Sequence, residues 1–330
     1  MLSRMKSPLA ARIVSVGAAI AALAACSAPQ PAPQAACAPL PSSTSVDTIA
    51  SAPPPSVPAS PAASASVAAP ALPPPRDAIA NVNGLKMHYR RQGTGPTLVL
   101  LHGGSASAEL CWGPAFAFFA PSFDVIAPDQ MGHGRTADDP KRAMSYHAMA
   151  EDTATLLEQL GVKSASLVGW SDGGILALDI AIHHPALAAK IVTSGANYTP
   201  DGTSPQARAW IRTSKPADWP ALLRDDYAKL SPDGAEHFGP FLTRLKTMWL
   251  SQPNMTTKQL ATIKAPALVV AGDHDMIRSE HTLALAQAIP GAELAILPNA
   301  GHGVVLEDAP RFNAVVLAFL NEKPKPAESH

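Results

Sequence analysis

The chain has 330 residues, with 25 Lys and Arg against 26 Asp and Glu. This near-neutral balance, without any run of basic residues, excludes an extended nucleic-acid-binding surface and electrostatic attachment to an anionic membrane. The length accommodates one globular domain together with segments outside it.

Residues 1–25 have the pattern of an export signal. Three basic residues precede the apolar segment 13–22, which is too short to span a bilayer as a helix. This segment leads into Leu23-Ala24-Ala25-Cys26, which resembles the lipobox of bacterial lipoproteins. The resemblance implies cleavage before Cys26, a lipid on Cys26 as the membrane contact, and a protein exported to the bacterial cell envelope, in the outer membrane or periplasm. An ordinary signal peptide, cut near residue 25 or 28, is the alternative.

Residues 26–76 differ in composition from the rest of the chain. They contain 14 of the 34 prolines, and Asp47 is the only charged residue before Arg76. A segment with so few large apolar residues is predicted to be disordered and extended, so we expect a Pro/Ala-rich tether. A cleaved leader, or a segment that itself anchors the envelope, is the alternative.

Two cysteines remain besides Cys26. Cys37 lies in the predicted tether, whereas Cys111 lies in an apolar, helix-like stretch. Cys111 is predicted to be a small buried core residue, and a disulfide between the two is left open.

Residues 77–330 are predicted to form one α/β domain, because short apolar runs alternate there with helix-length segments. Eight of these runs are predicted strands: Ile79–Asn81, Lys86–Arg90, Thr97–Leu101, Asp124–Ala127, Ala165–Val168, Lys190–Thr193, Ala267–Ala271 and Glu293–Leu297. Several runs, such as residues 98–101, are continuously apolar, as in strands that are buried on both faces. The sequence therefore predicts a mostly parallel eight-stranded sheet flanked by helices.

The alternation is interrupted at about residues 199–262. This segment contains seven prolines, several helix-like pieces and three of the five tryptophans. It is predicted to be a small helical insertion that covers one end of the sheet as a lid.

The pentapeptide Gly169-Trp170-Ser171-Asp172-Gly173 follows a predicted strand and precedes a helix-like stretch. G-x-S-x-G in this context is the pattern of a nucleophile elbow, a tight turn that exposes the serine hydroxyl. Because glycine and serine are common, the pattern also arises by chance, and other motifs have to support it.

A serine nucleophile needs a base to take its proton and a carboxylate to orient that base. In elbow-type enzymes the acid and then the histidine follow the serine along the chain. Here one predicted strand leads into a turn with Asp273 and Asp275, and the next leads into a turn with His302. Both turns follow strand ends, where open parallel sheets place their sites. The two aspartates are candidate acids.

An earlier predicted strand leads into the glycine-rich turn His102-Gly103-Gly104-Ser105. Such a turn commonly supplies one backbone N–H of an oxyanion hole, and the residue after the nucleophile supplies the other. We therefore expect the N–H groups of Gly104 and Asp172 to form the oxyanion hole.

These motifs, in this order, resemble those of α/β-hydrolase-fold proteins over residues 78–321. The segment 128–136 is also similar to the loop that follows the fourth strand in that family. The resemblance implies that Ser171 is the nucleophile and that His302 is the general base and acid. It also implies that Asp275, rather than Asp273, is the carboxylate of the triad.

The segments 169–174 and 195–198 are similar to the biphenyl hydrolase-like enzymes, which include amino-acid ester hydrolases. In that branch the acidic residue after the serine can hold the ammonium group of the substrate, so the resemblance implies this role for Asp172. A purely local hydrogen-bonding role is the alternative. Trp170 is a further candidate for substrate binding.

The sequence predicts a serine hydrolase that cleaves small carboxylic esters through an acyl-enzyme. A small-molecule ester is the expected partner, with amides and lactones as further candidates, and neither a cofactor, a metal nor a nucleic acid is expected. Carbon–carbon hydrolases and perhydrolases with the same triad are alternatives, as is a non-catalytic surface-binding lipoprotein. Oligomeric state is left open.

Overall fold

The computed structural model describes residues 72–322. The predicted signal peptide, Cys26, Cys37 and residues 26–71 of the predicted tether lie outside the described residues, as do residues 323–330. Within the described range, no helix is both long and apolar enough to cross a membrane.

One sheet forms the centre of the described part. Its strands are β1 (Arg76–Val82), β2 (Leu85–Gln92), β3 (Thr97–Leu101), β4 (Asp124–Pro128), β5 (Ala165–Trp170), β6 (Ala188–Ser194), β7 (Ala267–Gly272) and β8 (Glu293–Leu297). Their order across the sheet is β1-β2-β4-β3-β5-β6-β7-β8. β2 is antiparallel to β1 and β4, and all other neighbours are parallel. The predicted sheet and its eight strands are confirmed.

The sheet is covered on both faces. All four residues of the segment 98–101 in β3 have no exposed surface. Because neighbouring residues of a strand face opposite sides of the sheet, this burial requires packed helices on each side. The continuous apolar runs in the sequence follow from this arrangement.

Helices connect and flank the strands. Those of residues 72–322 are α1 (Ala108–Phe119), α2 (Tyr146–Gln159), α3 (Asp172–His183), α4 (Pro205–Thr213), α5 (Ala221–Leu230), α6 (Phe238–Ser251), α7 (Thr257–Leu260), α8 (Ser279–Ala288), α9 (Val304–Glu307) and α10 (Ala309–Asn321). α3 packs against β3, β5 and β6, and α2 packs against α3. Serine side chains cap the first turns of α1 and α2 by accepting backbone N–H groups. The capping residue is Ser107 for α1 and Ser145 for α2.

Helices α4 to α7 form the insertion between β6 and β7, as predicted. Apolar residues of α6, such as Phe241 and Leu245, are fully buried in the same hydrophobic core as the strands. A short antiparallel bridge between Thr203 and Ile277 joins the start of the insertion to the loop after β7. The insertion is therefore fixed to the edge of the sheet at which the candidate site lies.

Cys111 lies in α1, is 3% exposed and forms no disulfide with any described residue. Burial raises the pKa of its thiol, so Cys111 is a core residue, as expected.

Candidate active site

Ser171 lies at the junction of β5 and α3, in a sharp turn. Its backbone has φ 53° and ψ −117°, a conformation that residues other than glycine rarely adopt. A Cβ on Gly169 would lie 2.1 Å from the carbonyl oxygen of Gly173, and a Cβ on Gly173 would lie 2.1 Å from that of Leu101. The flanking glycines are therefore required by space, and the turn has the geometry of a nucleophile elbow.

Two side chains from other loops connect to Ser171. Nε2 of His302 lies 3.0 Å from Oγ of Ser171, and Nδ1 of His302 lies 2.8 Å from Oδ1 of Asp275. The three residues follow β5, β7 and β8, so the parallel strands bring them together at one edge of the sheet. The side chains of His302 and Asp275 are 6% and 4% exposed, which shields the hydrogen bond between them from water.

Asp275, and not Asp273, contacts the histidine. Oδ1 of Asp275 also accepts the Ile277 N–H at 2.9 Å, which fixes the carboxylate. The Asp273 side chain is 35% exposed and accepts the Ala300 N–H at 3.0 Å. Asp273 thus stabilises the turn that leads to His302, whereas Asp275 is the carboxylate that contacts the histidine.

The charges around His302 favour its protonated form. Burial alone lowers the pKa of His302, but the negative charge of Asp275, its hydrogen bond and the charge of Asp172 outweigh burial and raise this pKa above 6.5. An imidazole in this setting accepts a proton readily, which a general base beside a serine hydroxyl requires.

Gly195, directly after β6, provides room for the pair of Asp275 and His302. It has a φ of +60°, and a Cβ there would lie 2.9 Å from Nδ1 of His302 and 3.1 Å from Oδ2 of Asp275. A side chain at this position would therefore strain the backbone and push the imidazole away from its carboxylate.

Gly104 and Asp172 line the cavity beside Ser171. Asp172 is the first residue of α3, and the first N–H groups of a helix have no partner within it. Gly104 lies against Asp172, since a Cβ on Gly104 would be 2.4 Å from Oδ2 of Asp172. Within residues 72–322 no acceptor takes the Gly104 N–H. Both groups can therefore donate to a negatively charged oxygen.

The carboxylate of Asp172 has two donors that the sequence did not reveal. The Tyr146 hydroxyl donates to Oδ1 at 2.8 Å, and Nε1 of Trp249 donates to Oδ2 at 2.8 Å. Burial raises the pKa of Asp172 to about 6, although both hydrogen bonds oppose this shift. The two donors favour the ionised form of this carboxylate, which lies beside the nucleophile.

These residues open onto a cavity of about 440 Å³ between the sheet edge and the insertion. Ring centroids of Trp210 and Trp219 are 4.8 Å apart, and those of Trp219 and Trp249 are 5.4 Å apart. The three tryptophans form a continuous aromatic wall. Among residues 72–322, the acidic side chains that line the cavity are Asp172 and Asp218, and neither Lys nor Arg lines it. The cavity is therefore apolar with a negative bias.

The sequence pattern of the alpha/beta hydrolase family matches residues 98–315. The protein belongs to this family. The match covers most of the sheet, the turn after β3 and the loops that hold Ser171, Asp275 and His302, and it ends within α10. It agrees with the strand order and with the elbow between β5 and α3.

Named relatives are similar over the same region. Serine hydrolase BPHL of Homo sapiens is 32% identical over 256 residues, covering 72% of this chain and 84% of the relative. A protein of Stutzerimonas stutzeri (strain A1501), provisionally named carbamate hydrolase RutD, is 27% identical over 259 residues, covering 72% and 96%. The enol-lactonase from Burkholderia xenovorans LB400 is 25% identical, with a TM-score of 0.61 and coverage of 74% and 100%. The expected likeness to the biphenyl hydrolase-like branch is confirmed.

In this alpha/beta hydrolase, Trp170 both lines the cavity and supports the histidine. Its Nε1 donates to the backbone carbonyl of His302 at 2.6 Å, and its side chain packs on Gly103, where a Cβ would lie 2.6 Å from the ring. Trp170 is 5% exposed. Its contacts are those of a residue that positions His302.

The loop of residues 128–136 in the hydrolase has a supporting role. Asp129 accepts the backbone N–H of Ala108 at 2.8 Å and lies 2.8 Å from Nδ1 of His88. Nε2 of His102 accepts the Gln130 N–H at 3.0 Å, and burial lowers the pKa of His102. These groups hold the turn after β3, and with it Gly104, in place.

Proposed function

We propose that the protein is a serine hydrolase that cleaves small carboxylic esters through an acyl-enzyme. The observation that carries the proposal is the buried row of hydrogen bonds from Asp275 through His302 to Ser171. It ends on a serine in a strained elbow that lines a cavity of about 440 Å³. A non-catalytic binding protein has no need for this combination of strain and burial.

The geometry supports a two-step reaction. Oγ of Ser171 attacks the ester carbonyl carbon while its proton passes to Nε2 of His302, and Asp275 stabilises the imidazolium. The N–H groups of Gly104 and Asp172 donate to the oxyanion. The imidazolium then protonates the leaving alcohol as the ester C–O bond breaks. A water molecule, deprotonated by the same nitrogen, attacks the acyl-enzyme, and the imidazolium returns this proton to Oγ of Ser171 as the acid leaves.

The cavity favours substrates that are neutral or cationic. No Lys or Arg in the described range of the chain lines it, so an anionic substrate would meet Asp172 and Asp218 without a compensating charge from that range. Among esters, those of amino acids carry an ammonium group beside the reacting carbonyl. We propose that Asp172, adjacent to the nucleophile, binds this group, with the tryptophan wall around an apolar side chain.

The names of the relatives support acyl transfer. A carbamate and an enol lactone, the substrates named for two of them, both react at a carbonyl carbon bonded to oxygen. An ester offers the same reacting group to the same arrangement of nucleophile and donors.

Ethyl esters of L-phenylalanine and of 3-phenylpropanoate test the proposal, because they differ only in the amino group. We expect a kcat/KM that is roughly 10- to 100-fold higher for the amino-acid ester, from one charge-assisted hydrogen bond. Asp172→Asn should remove this difference, and Ser171→Ala should abolish hydrolysis of both esters. Equal kcat/KM for both esters in the wild type would reject the ammonium site but not the esterase. No hydrolysis of either would reject the esterase.

We also propose that Cys26 carries a lipid that holds the exported protein in the cell envelope. The Leu23-Ala24-Ala25-Cys26 sequence after a basic and apolar start supports this proposal. Labelled palmitate should be incorporated into the full chain expressed in a Gram-negative host and should be absent from Cys26→Ala. Equal incorporation into both chains would contradict it.

A further inference from the structure

A group of three metal-ligating side chains lies outside the candidate active site, where α2 meets α3. His147 is the second residue of α2, and Asp179 and His183 lie one helical turn apart on α3. Nδ1 of His147 is 2.9 Å from Oδ1 of Asp179, and Nδ1 of His183 is 3.1 Å from the same oxygen. The potential ligand atoms of all three residues lie within 4.8 Å of one another.

Asp179 is a largely buried carboxylate between two imidazoles. Its side chain is only 8% exposed, and its ionic partners within residues 72–322 are the two histidines, without any Lys or Arg. A buried carboxylate needs a counter-charge, which an ion pair or a bound metal ion can provide. A divalent cation between the three residues would supply it and would use the same nitrogen and oxygen atoms.

From these observations we propose that His147, Asp179 and His183 bind one divalent transition-metal ion of the zinc type. Zinc lies about 2.0–2.2 Å from nitrogen and oxygen ligands, so neighbouring ligands of a tetrahedral site are about 3.3 Å apart. The two Nδ1–Oδ1 distances, 2.9 and 3.1 Å, are close to this spacing. To bind the ion, Nδ1 of His183 gives up its contact with the Asp179 carbonyl oxygen at 3.0 Å.

Because the two histidines are exposed, an ion can reach the site and water can serve as its fourth ligand. The side chains of His147 and His183 are 56% and 39% exposed, so water can reach and complete the site. Two imidazoles and one carboxylate suit zinc, nickel or copper, whereas magnesium and calcium prefer sites made of oxygen atoms alone. The nitrogen and oxygen donors of the proposed site therefore favour these transition metals over magnesium and calcium.

The site also lies next to a contact of the catalytic cavity. Tyr146, which precedes His147, donates its hydroxyl to Asp172, the first residue of α3. An ion between His147 and α3 would hold the end of α2 that carries this tyrosine. The sequence predicted no metal, because His147 and Asp179 are 32 positions apart and only the fold brings them together.

Zinc binding to the full chain, purified without a polyhistidine tag and dialysed against EDTA, tests the proposal. Isothermal titration calorimetry at pH 7.5 should give one site per chain, and saturating zinc should raise Tm by about 5 °C or more. Magnesium should change neither quantity. His147→Ala and His183→Ala should each lose the zinc-dependent shift while remaining folded without metal. His184→Ala, which alters the neighbouring histidine paired with Glu151, is the matched control and should retain it.

Two results would overturn the proposal. One is a wild type whose Tm and heat of titration do not respond to zinc. The other is a double variant, His147→Ala with His183→Ala, that binds zinc as well as the wild type does, since the ion would then lie elsewhere in the chain.

Discussion

The sheet edge and the helical insertion contribute to the cavity in different ways. The loops after β5, β7 and β8 supply Ser171, Asp275 and His302, and close-packed glycines and backbone hydrogen bonds surround these residues. The insertion supplies mostly apolar surface, above all its three tryptophans. The difference suggests a division of work, in which the sheet edge performs the reaction and the insertion selects the substrate.

The strongest way to test this division is to remove one carboxylate from the sheet edge. Asp275→Asn should lower kcat by about 10⁴-fold, because the amide no longer holds the reactive tautomer of His302 or stabilises its charge. Steady-state hydrolysis of an ester measures the loss. Asp273→Asn is the matched control in the same turn, and its kcat should stay within about threefold of the wild type. The reverse ranking would reassign the acid.

A smaller loss of kcat is expected from a substitution that only displaces the His302 ring. Gly195→Ala should lower kcat by about 10²-fold, since its Cβ would lie 2.9 Å from Nδ1 of His302 and force the ring to move. The fold should survive, which circular dichroism and Tm can verify. An unchanged kcat would show that the catalytic pair tolerates displacement, contrary to the tight geometry argued for the sheet edge.

Changes in the insertion should act on substrate choice instead. Trp210→Ala should lower kcat/KM for an ester with a phenylalanine-sized acyl group by about 10-fold, since part of its apolar wall is lost. For an acetyl ester the value should change little. The ratio of the two kcat/KM values measures the effect, and an equal loss for both substrates would argue against a division of work between the two regions.

The smallest expected effect is a shift in pH dependence. His302 must be neutral to accept a proton, so kcat/KM should rise with pH through a midpoint above 6.5, the side to which Asp275 and Asp172 move its pKa. Asp172→Asn removes one of the negative charges and should move this midpoint to lower pH. Asp218→Asn changes the cavity carboxylate that the insertion supplies and should leave it in place. A midpoint that moves with Asp218 would contradict the argument.

Much of the sheet could be predicted from the sequence because burial on both faces leaves a local signal. The residues 98–101 are all apolar, and all four are fully buried. Ser171 could be predicted for the same reason, since it follows the apolar strand β5 in a glycine-rich turn. His302 could be predicted because it lies in the turn after a short strand pattern, in the order along the chain that elbow-type enzymes require. Asp273 and Asp275 share one turn, so only a likeness to known proteins, and then the geometry, separates them.

Other residues of the candidate site have no neighbouring sequence pattern that predicts their role. Tyr146 and Trp249 are 26 and 77 positions from Asp172, and each reaches its carboxylate from a different helix. An aromatic residue on a helix has the same appearance in sequence whether it packs in the core or donates to a buried charge. The three tryptophans of the insertion are a similar case, because their alignment into one wall depends on how α4 to α6 pack.

The claim on which the rest depends is that Ser171 is an activated nucleophile. A fluorophosphonate probe, applied to the full chain and followed by mass spectrometry of the peptides, tests it most directly. We expect one probe adduct per chain, on the peptide that contains Ser171, with labelling lost in Ser171→Ala and strongly slowed in Asp275→Asn. A folded wild type without any adduct, or an adduct that persists in Ser171→Ala, would contradict the account.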